Sequence, residues 1–413
     1  MGRIITRSLH CGMPLIVEEM HNVRSAAVSW LLPCGCAHDR ADLEGLSTIQ
    51  SELLMRGAGS LDSRQQADAF DRLGASRGTE LGTLTMRISG TMLGSQVTQV
   101  LGLYADMVLR PLMDEAAMEP ARDLALQSLE SVQDEPQELV SVLLRNRHHP
   151  VPRNRSGLGT EDGLKKATHQ DVVGEWKRLA KPKGSVIAIA GAVDTDACER
   201  ELNRILDGWT GETADPTDAP LPSGRYWHEE DDTNQVQVLL AHDAPAEGHP
   251  DGVLEKFVAT VLSGGMAGRL FTEVREKRGL CYSVNAGYRA DRDYGVVSAY
   301  VGTTPERAQE SLDVLVSELR RINTPDGRIT PDEFQRAKVG MKSGLVFSGE
   351  STGARAAALS SDYRRLGRAR SLDELTAQID AVTLDQLNAY LLRRQFGRVT
   401  IQTLGPKPLK SPM

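Results

Sequence analysis

The chain has 413 residues, 40% of them apolar and 25% charged, a composition that supports two or three packed domains. Its formal charge of -8 and pI near 5.7 argue against nucleic acid or an anionic membrane as partner, because those surfaces need a basic footprint. No run approaches the roughly 18 apolar residues of a membrane span, and the start after Met1 has no apolar signal core. Five sparse cysteines, an odd number, make no disulfide framework, so a reducing cytoplasm is the expected location.

Taken in chain order, the elements repeat. An extended stretch at 24–32 leads through a polar loop into a helical pattern at 45–56, then a strand at 88–90 that ends in a Gly turn and feeds a long helical pattern. A helix start at PLMDEAAMEPARDLALQSL follows, and the half closes on an apolar strand, 185–191. After GWTGETADPTDAPLPSG at 208–224, which is linker chemistry, the same order returns at 234–242, 251–262, 300–302, RITPDEFQRAKVGMKSGL and 398–405. Glu119 then aligns with Glu333 and Arg122 with Arg336, at an offset near 212 to 214 residues. An internal duplication is inferred. The expected fold is α+β: two homologous halves, 1–210 and 225–413, joined by a linker at 211–224, each a mostly antiparallel sheet covered by helices on one face.

Residues Leu262 to Val284, LSGGMAGRLFTEVREKRGLCYSV, resemble the second-half signature of the insulinase-like (pitrilysin, M16) zinc peptidases, in particular the short two-domain subfamily related to mitochondrial processing peptidase. GMPLIVEEM at 12–20, EDGLKKATHQDVVGEW at 161–176, IAIAGAVD at 187–194 and TLGP at 403–406 fall in the family order, so the likeness spans nearly the whole chain.

Active members of that family carry His-x-x-Glu-His, in which two histidines one helical turn apart bind zinc and the Glu activates water. Here Gly45, Leu46 and Ser47 match the lead-in, and Leu54, Arg56 and Gly57 match the exit. Between them Thr48, Ser51 and Glu52 stand where His, Glu and His belong. The third ligand of the family, a Glu about 75 residues further on, falls at Ser128. Hydroxyls are poor zinc ligands, and no metal is expected in this chain. Glu44 and Glu130, near these positions, are expected as solvated or capping carboxylates. Cys34-Gly-Cys36-Ala-His38 offers soft ligands but no second pair, and His148-His149 are adjacent on an extended chain; both are expected to be structural.

Arg275 and Tyr282, by contrast, match the pair that the family sets opposite the zinc to contact substrate. A guanidinium fork and a phenol suit that role. The opposing possibility is that Arg275 pairs with Glu273 or Glu276 and that Tyr282 is a core aromatic. By resemblance, Tyr288, Tyr294 and Gly295 belong to a substrate wall.

Missing ligands beside a retained Arg/Tyr pair is the pattern of the family's non-catalytic subunits. The resemblance therefore implies a pseudo-peptidase subunit that binds unfolded peptide by β-augmentation and supplies Arg275 and Tyr282 to a zinc-carrying His-x-x-Glu-His homologue in a heterodimer. Two other readings stay open: a homodimeric peptide-binding or scaffold protein without proteolysis, and a metallopeptidase with a divergent metal site.

Overall fold

The computed structural model describes residues 2–412. The chain forms two compact units. One comprises residues 1–131, 151–220 and 348–370, and the other 132–150, 221–347 and 371–413, so the passage between halves falls at Pro220 and Leu221. Each unit holds one large sheet, and the first also a two-stranded one of Gly57–Ala58 and Leu61–Asp62.

The first sheet has six strands, in the order Arg3–Ser8, Pro14–Glu19, Val186–Gly191, Ser25–Leu32, Met86–Leu93 and Gly78–Leu81. Only the pairing of Pro14–Glu19 with Val186–Gly191 is parallel. Alternation decides which face each side chain joins. Leu15, Val17, Val28, Trp30, Leu32, Ile187 and Ile189 meet the helices Leu46–Leu53, Val97–Leu109, His169–Leu179 and Thr195–Ile205 in the larger core. Ile16, Ala27, Val186, Ala188 and Ala190 point the other way. They are covered by Ala356 and Leu359 of the helix Thr352–Leu366, which comes from the second half of the sequence.

The second sheet repeats the first, with strands Tyr226–Glu230, Val399–Gly405, Val236–Ala244, Gly295–Thr303 and Cys281–Ala290 in order. Its parallel pair, Tyr226–Glu230 with Val399–Gly405, corresponds to the parallel pair of the first sheet. The duplication inferred from the sequence is thus visible in five corresponding strands, with Arg3–Ser8 an extra edge strand of the first sheet. Val238, Leu240, Ala299, Val301 and Ile401 pack on helices of the second half, while Leu239, Ala241, Tyr300 and Leu404 receive Val140 and Leu144 of Pro136–His148, a helix of the first half.

Each half therefore lends one helix to the other half's sheet. A division in chain order at 211–224 leaves this exchange out, and the expected single helical face is supplemented in both units by the lent helix. No helix among the described residues is long and apolar enough to cross a membrane, and Cys11, Cys34, Cys198 and Cys281 are free thiols.

Candidate functional site

In the first unit the helix Leu46–Leu53 carries the altered zinc-motif positions and packs against Met118–Ser131. It starts at Gly45, whose φ of 110° is left-handed and whose hypothetical Cβ would lie 2.6 Å from Leu164 Cδ2. Asp39 caps the start: it accepts from Gly45 N at 2.9 Å, Ser47 N at 3.0 Å and Ser47 Oγ at 3.0 Å. Burial pushes its carboxyl up to about 6, against the pull of those donors.

Every altered position is engaged locally. Thr48 Oγ1 donates to Gly157 O at 2.7 Å, and Ser51 Oγ donates to Thr79 Oγ1 at 2.9 Å. Glu52 accepts from Arg56 Nε at 2.9 Å and Nη2 at 2.8 Å, one turn on. Ser128 is exposed and donates back to Leu124 O at 2.9 Å within its own helix. Two hydroxyls bonded to local oxygens, a carboxylate neutralised by arginine and a serine in place of a carboxylate do not fit zinc. Among the described residues, no group of three His, Cys, Asp or Glu is placed to hold a metal ion.

The other metal candidates are structural as well. Cys36 Sγ donates to Arg155 O at 3.4 Å, Cys34 is buried with its thiol pushed far up by burial, and burial holds His38 down at about 4. His148 Nδ1 lies 3.0 Å from Thr400 Oγ1 and its Nε2 lies 3.4 Å from Asp243. Glu44 pairs with Arg155 at 3.0 Å, and Glu130 is exposed.

The second unit holds the other candidate site. Phe271–Glu276 is a π-helical stretch: the Lys277 N–H bonds Thr272 O, five residues back. Such stretches are short, and they concentrate at functional sites. Arg275 lies with its guanidinium carbon 4.8 Å from the Phe271 ring centre and 5.2 Å from that of Tyr282. The guanidinium is held by two aromatic rings. Glu273, the carboxylate expected as its ordinary partner, is taken by Lys277 at 2.7 Å and Arg278 at 2.9 Å, and among the described residues no ion pair is made by Arg275. Its charge is therefore available to a ligand.

Tyr282 is 83% exposed, which rules out the core-aromatic reading. The reason is a bulge: the register shifts between Cys281 and Ser283, so Tyr282 has no partner residue on the neighbouring strand. The strand that carries it, Cys281–Ala290, is an edge of the five-stranded sheet. Burial raises the neighbouring Cys281 thiol to about 11, with Arg275 pulling the other way, so the thiol stays protonated and inert beside the site.

The structure brings Arg275 and Tyr282 together as the sequence led one to expect, and adds Phe271, which sequence reasoning missed; its spacing of four from Arg275 on a helical stretch was the available signal. The substrate-wall residues have local partners. Tyr288 donates to Pro245 O at 2.6 Å, Tyr294 packs its ring 5.4 Å from His149, and a Cβ on Gly295 would lie 1.9 Å from Pro245 O.

Comparison with known proteins supplies the family. Residues 15–158 match the family described as insulinase (peptidase family M16), and 166–341 match the peptidase M16 inactive domain. The uncharacterized zinc protease YmxG of Bacillus subtilis is 25% identical over 394 residues, covering 93% of this chain and 94% of its own. The uncharacterized zinc protease Rv2782c of Mycobacterium tuberculosis is 28% identical over 417 residues, covering 96% and 92%. A crystal structure of a peptidase M16 inactive domain from Pseudomonas fluorescens superposes with a TM-score of 0.84 at 21% identity, covering 100% of both chains. With both of its halves matched in order, and with the sheets repeated as that order requires, the chain belongs to the short two-domain M16 peptidase family.

Proposed function

We propose that this protein is a non-catalytic, substrate-handling subunit of an M16 zinc peptidase heterodimer. The observation that carries the reading is the free charge of Arg275, held between Phe271 and the exposed Tyr282 while the zinc-motif helix has lost its ligands to Thr48, Ser51 and Glu52. A fixed guanidinium and a phenol hydroxyl can donate to a peptide carbonyl without prior desolvation of a partner carboxylate. The edge strand Cys281–Ala290 offers an open row of backbone donors and acceptors for an extended peptide. Zinc and the water-activating Glu belong to a His-x-x-Glu-His homologue, which this chain completes.

The test is to assay unfolded peptides with the chain alone, with each His-x-x-Glu-His homologue of the same genome alone, and with the mixtures. The chain alone is expected to bind no stoichiometric zinc and to cleave nothing. Activity is expected on mixing, and Arg275→Ala in the mixture is expected to lower kcat roughly 100-fold, the typical loss of one oxyanion-side donor. Zinc and cleavage by the chain alone would defeat the reading. Peptide binding with no activity in any mixture would instead make it a binding or scaffold protein.

A further inference from the structure

The helix Pro331–Glu350 has 20 residues, yet Ala337 is its only buried one. Its start is fixed to the Arg275 segment. Arg269, two residues before Phe271, donates to Glu333 through Nε at 2.6 Å and Nη2 at 2.9 Å, and to Gly327 O through Nη1 at 2.7 Å. Phe334 stacks on Phe257 at 5.4 Å between ring centres. Beyond that turn Met341 and Leu345 pack half-buried on the core and Lys338 and Lys342 reach Asp380, which leaves the other face of the roughly 30 Å helix open.

A groove of about 400 Å³ follows this open face. Helical spacing sorts its lining into two edges. Val339, Ser343, Val346 and Phe347 form an apolar edge, and Gln335, Lys338 and Lys342 form a cationic one. Val339 is 52% exposed, Val346 58% and Phe347 71%, an unusual concentration on one helix face. Behind the cations a single carboxylate, Asp380 of the helix Leu372–Ala381, takes Lys342 at 2.9 Å and Lys338 at 3.6 Å. Two ammonium groups share one carboxylate, so the groove keeps one positive charge in a chain of net charge -8. That local excess favours an acidic ligand, and the apolar edge a large side chain beside it.

We propose that this groove is a specificity subsite for unfolded peptide: Val339, Val346 and Phe347 take a large apolar side chain, and Lys338 and Lys342 take an adjacent acidic residue. This deepens the peptide-handling function proposed above and rests on it. Arg275 engages any peptide through its backbone, whereas the groove ranks peptides by sequence.

The test uses the full chain and fluorescein-labelled, unstructured peptides that differ at one place only: Phe-Asp-Glu, Phe-Lys-Lys or Ser-Asp-Glu. Fluorescence anisotropy at fixed salt is expected to give Phe-Asp-Glu roughly ten-fold tighter binding than either of the others. Lys342→Glu is expected to reverse the ranking of the Asp-Glu and Lys-Lys peptides, and Val346→Asp to remove the advantage of Phe. Both positions are on the surface, and circular dichroism checks that the variants stay folded. Equal affinities for all three peptides, or an unchanged ranking in Lys342→Glu, overturn the subsite and leave general peptide binding standing. No binding of any peptide overturns both proposals. A wild-type dimer that Val346→Asp turns to monomer in sedimentation would make the face a contact between copies and also overturn the subsite.

Discussion

Arg355→Met is expected to destabilise the first unit by about 3–5 kcal/mol, the cost of stranding a buried charge. Arg355 is 2% exposed and donates through Nε to Glu18 at 2.7 Å, with Glu18 buried beside it on Pro14–Glu19. The pair joins the lent helix Thr352–Leu366 to the sheet. Most of its neighbours there are small: Ala27, Ala188, Ala190 and Ala356, with Ser29 and Ser360 hydrogen-bonded at 2.8 Å. Small residues give close approach but little area, so polar contacts carry much of the attachment: the buried ion pair, the serine bond and the Arg87 bond to Ser361 at 2.9 Å. Removing the arginine alone leaves the Glu18 carboxylate in a dry interface. At about 2–4 °C per kcal/mol for a unit of this size, the melting transition of the first unit should fall by roughly 10 °C. Replacing both partners, Glu18→Leu with Arg355→Met, is expected to recover most of that loss, because an apolar pair carries no unpaired charge. Differential scanning calorimetry decides it. A single variant that melts with wild type would mean that the pair does not hold the helix.

The lent helices also mark the limit of what the sequence makes legible. The repeated strands were readable because apolar runs with Gly turns recur in the same order, and the strands form at Ser25–Leu32, Val236–Ala244, Val186–Gly191 and Val399–Gly405, within two residues of the positions expected. Where the helices dock was not readable. Thr352–Leu366 presents alanine, serine and one leucine, Leu359, not a continuous apolar stripe, to its sheet, and Pro136–His148 offers only Val140 and Leu144 as buried apolar residues. Weak amphipathicity leaves the docking partner to long-range fit.

At the candidate site the residue types were legible through the motif, and the geometry was not. The bulge that turns Tyr282 outward and the π-helical turn that sets Arg275 over Phe271 each depend on a backbone departure of one residue. Periodicity averages over such departures.

Acid is expected to loosen the second unit before the first, with the difference appearing between pH 6.5 and 5. In the second unit His242 is buried, its Nε2 3.1 Å from Arg394 Nη2 and its Nδ1 2.8 Å from Asp243 O, so the ring is neutral with the proton on Nδ1. Burial first, and then the Arg394 charge, lower it to about 4. Burial, and then His148, lower His149 to about 3. A histidine whose folded pKa lies below its unfolded value of about 6.5 contributes stability that is complete above 6.5 and is lost as pH falls toward the folded value. By pH 5 each of the two costs the second unit about 2 kcal/mol. Asp243 and Glu333 are lowered too, Asp243 because His148 and Arg398 outweigh its burial and Glu333 to about 2 by the Arg269 bonds, but their contributions are lost only below the carboxylate range. The first unit responds differently. His38, lowered to about 4 by burial, has the same sign as His242, but Asp39, raised to about 6 by burial, has the opposite one. Asp39 costs stability at neutral pH and returns about 1.4 kcal/mol by pH 5, offsetting most of the loss at His38. Hydrogen exchange followed by mass spectrometry at pH 7, 6 and 5, with rates corrected for intrinsic pH dependence, should show protection falling first in Val236–Ala244 and Val399–Gly405 and holding in Ser25–Leu32 and Val186–Gly191. Asp39→Asn should let the protection of the first unit fall faster than wild type all the way from pH 7 to 5, by about 1.3 kcal/mol more at pH 5, because the compensating proton is gone. Equal loss in both sheets at every pH would mean that the buried histidines are not what sets the acid limit of the fold.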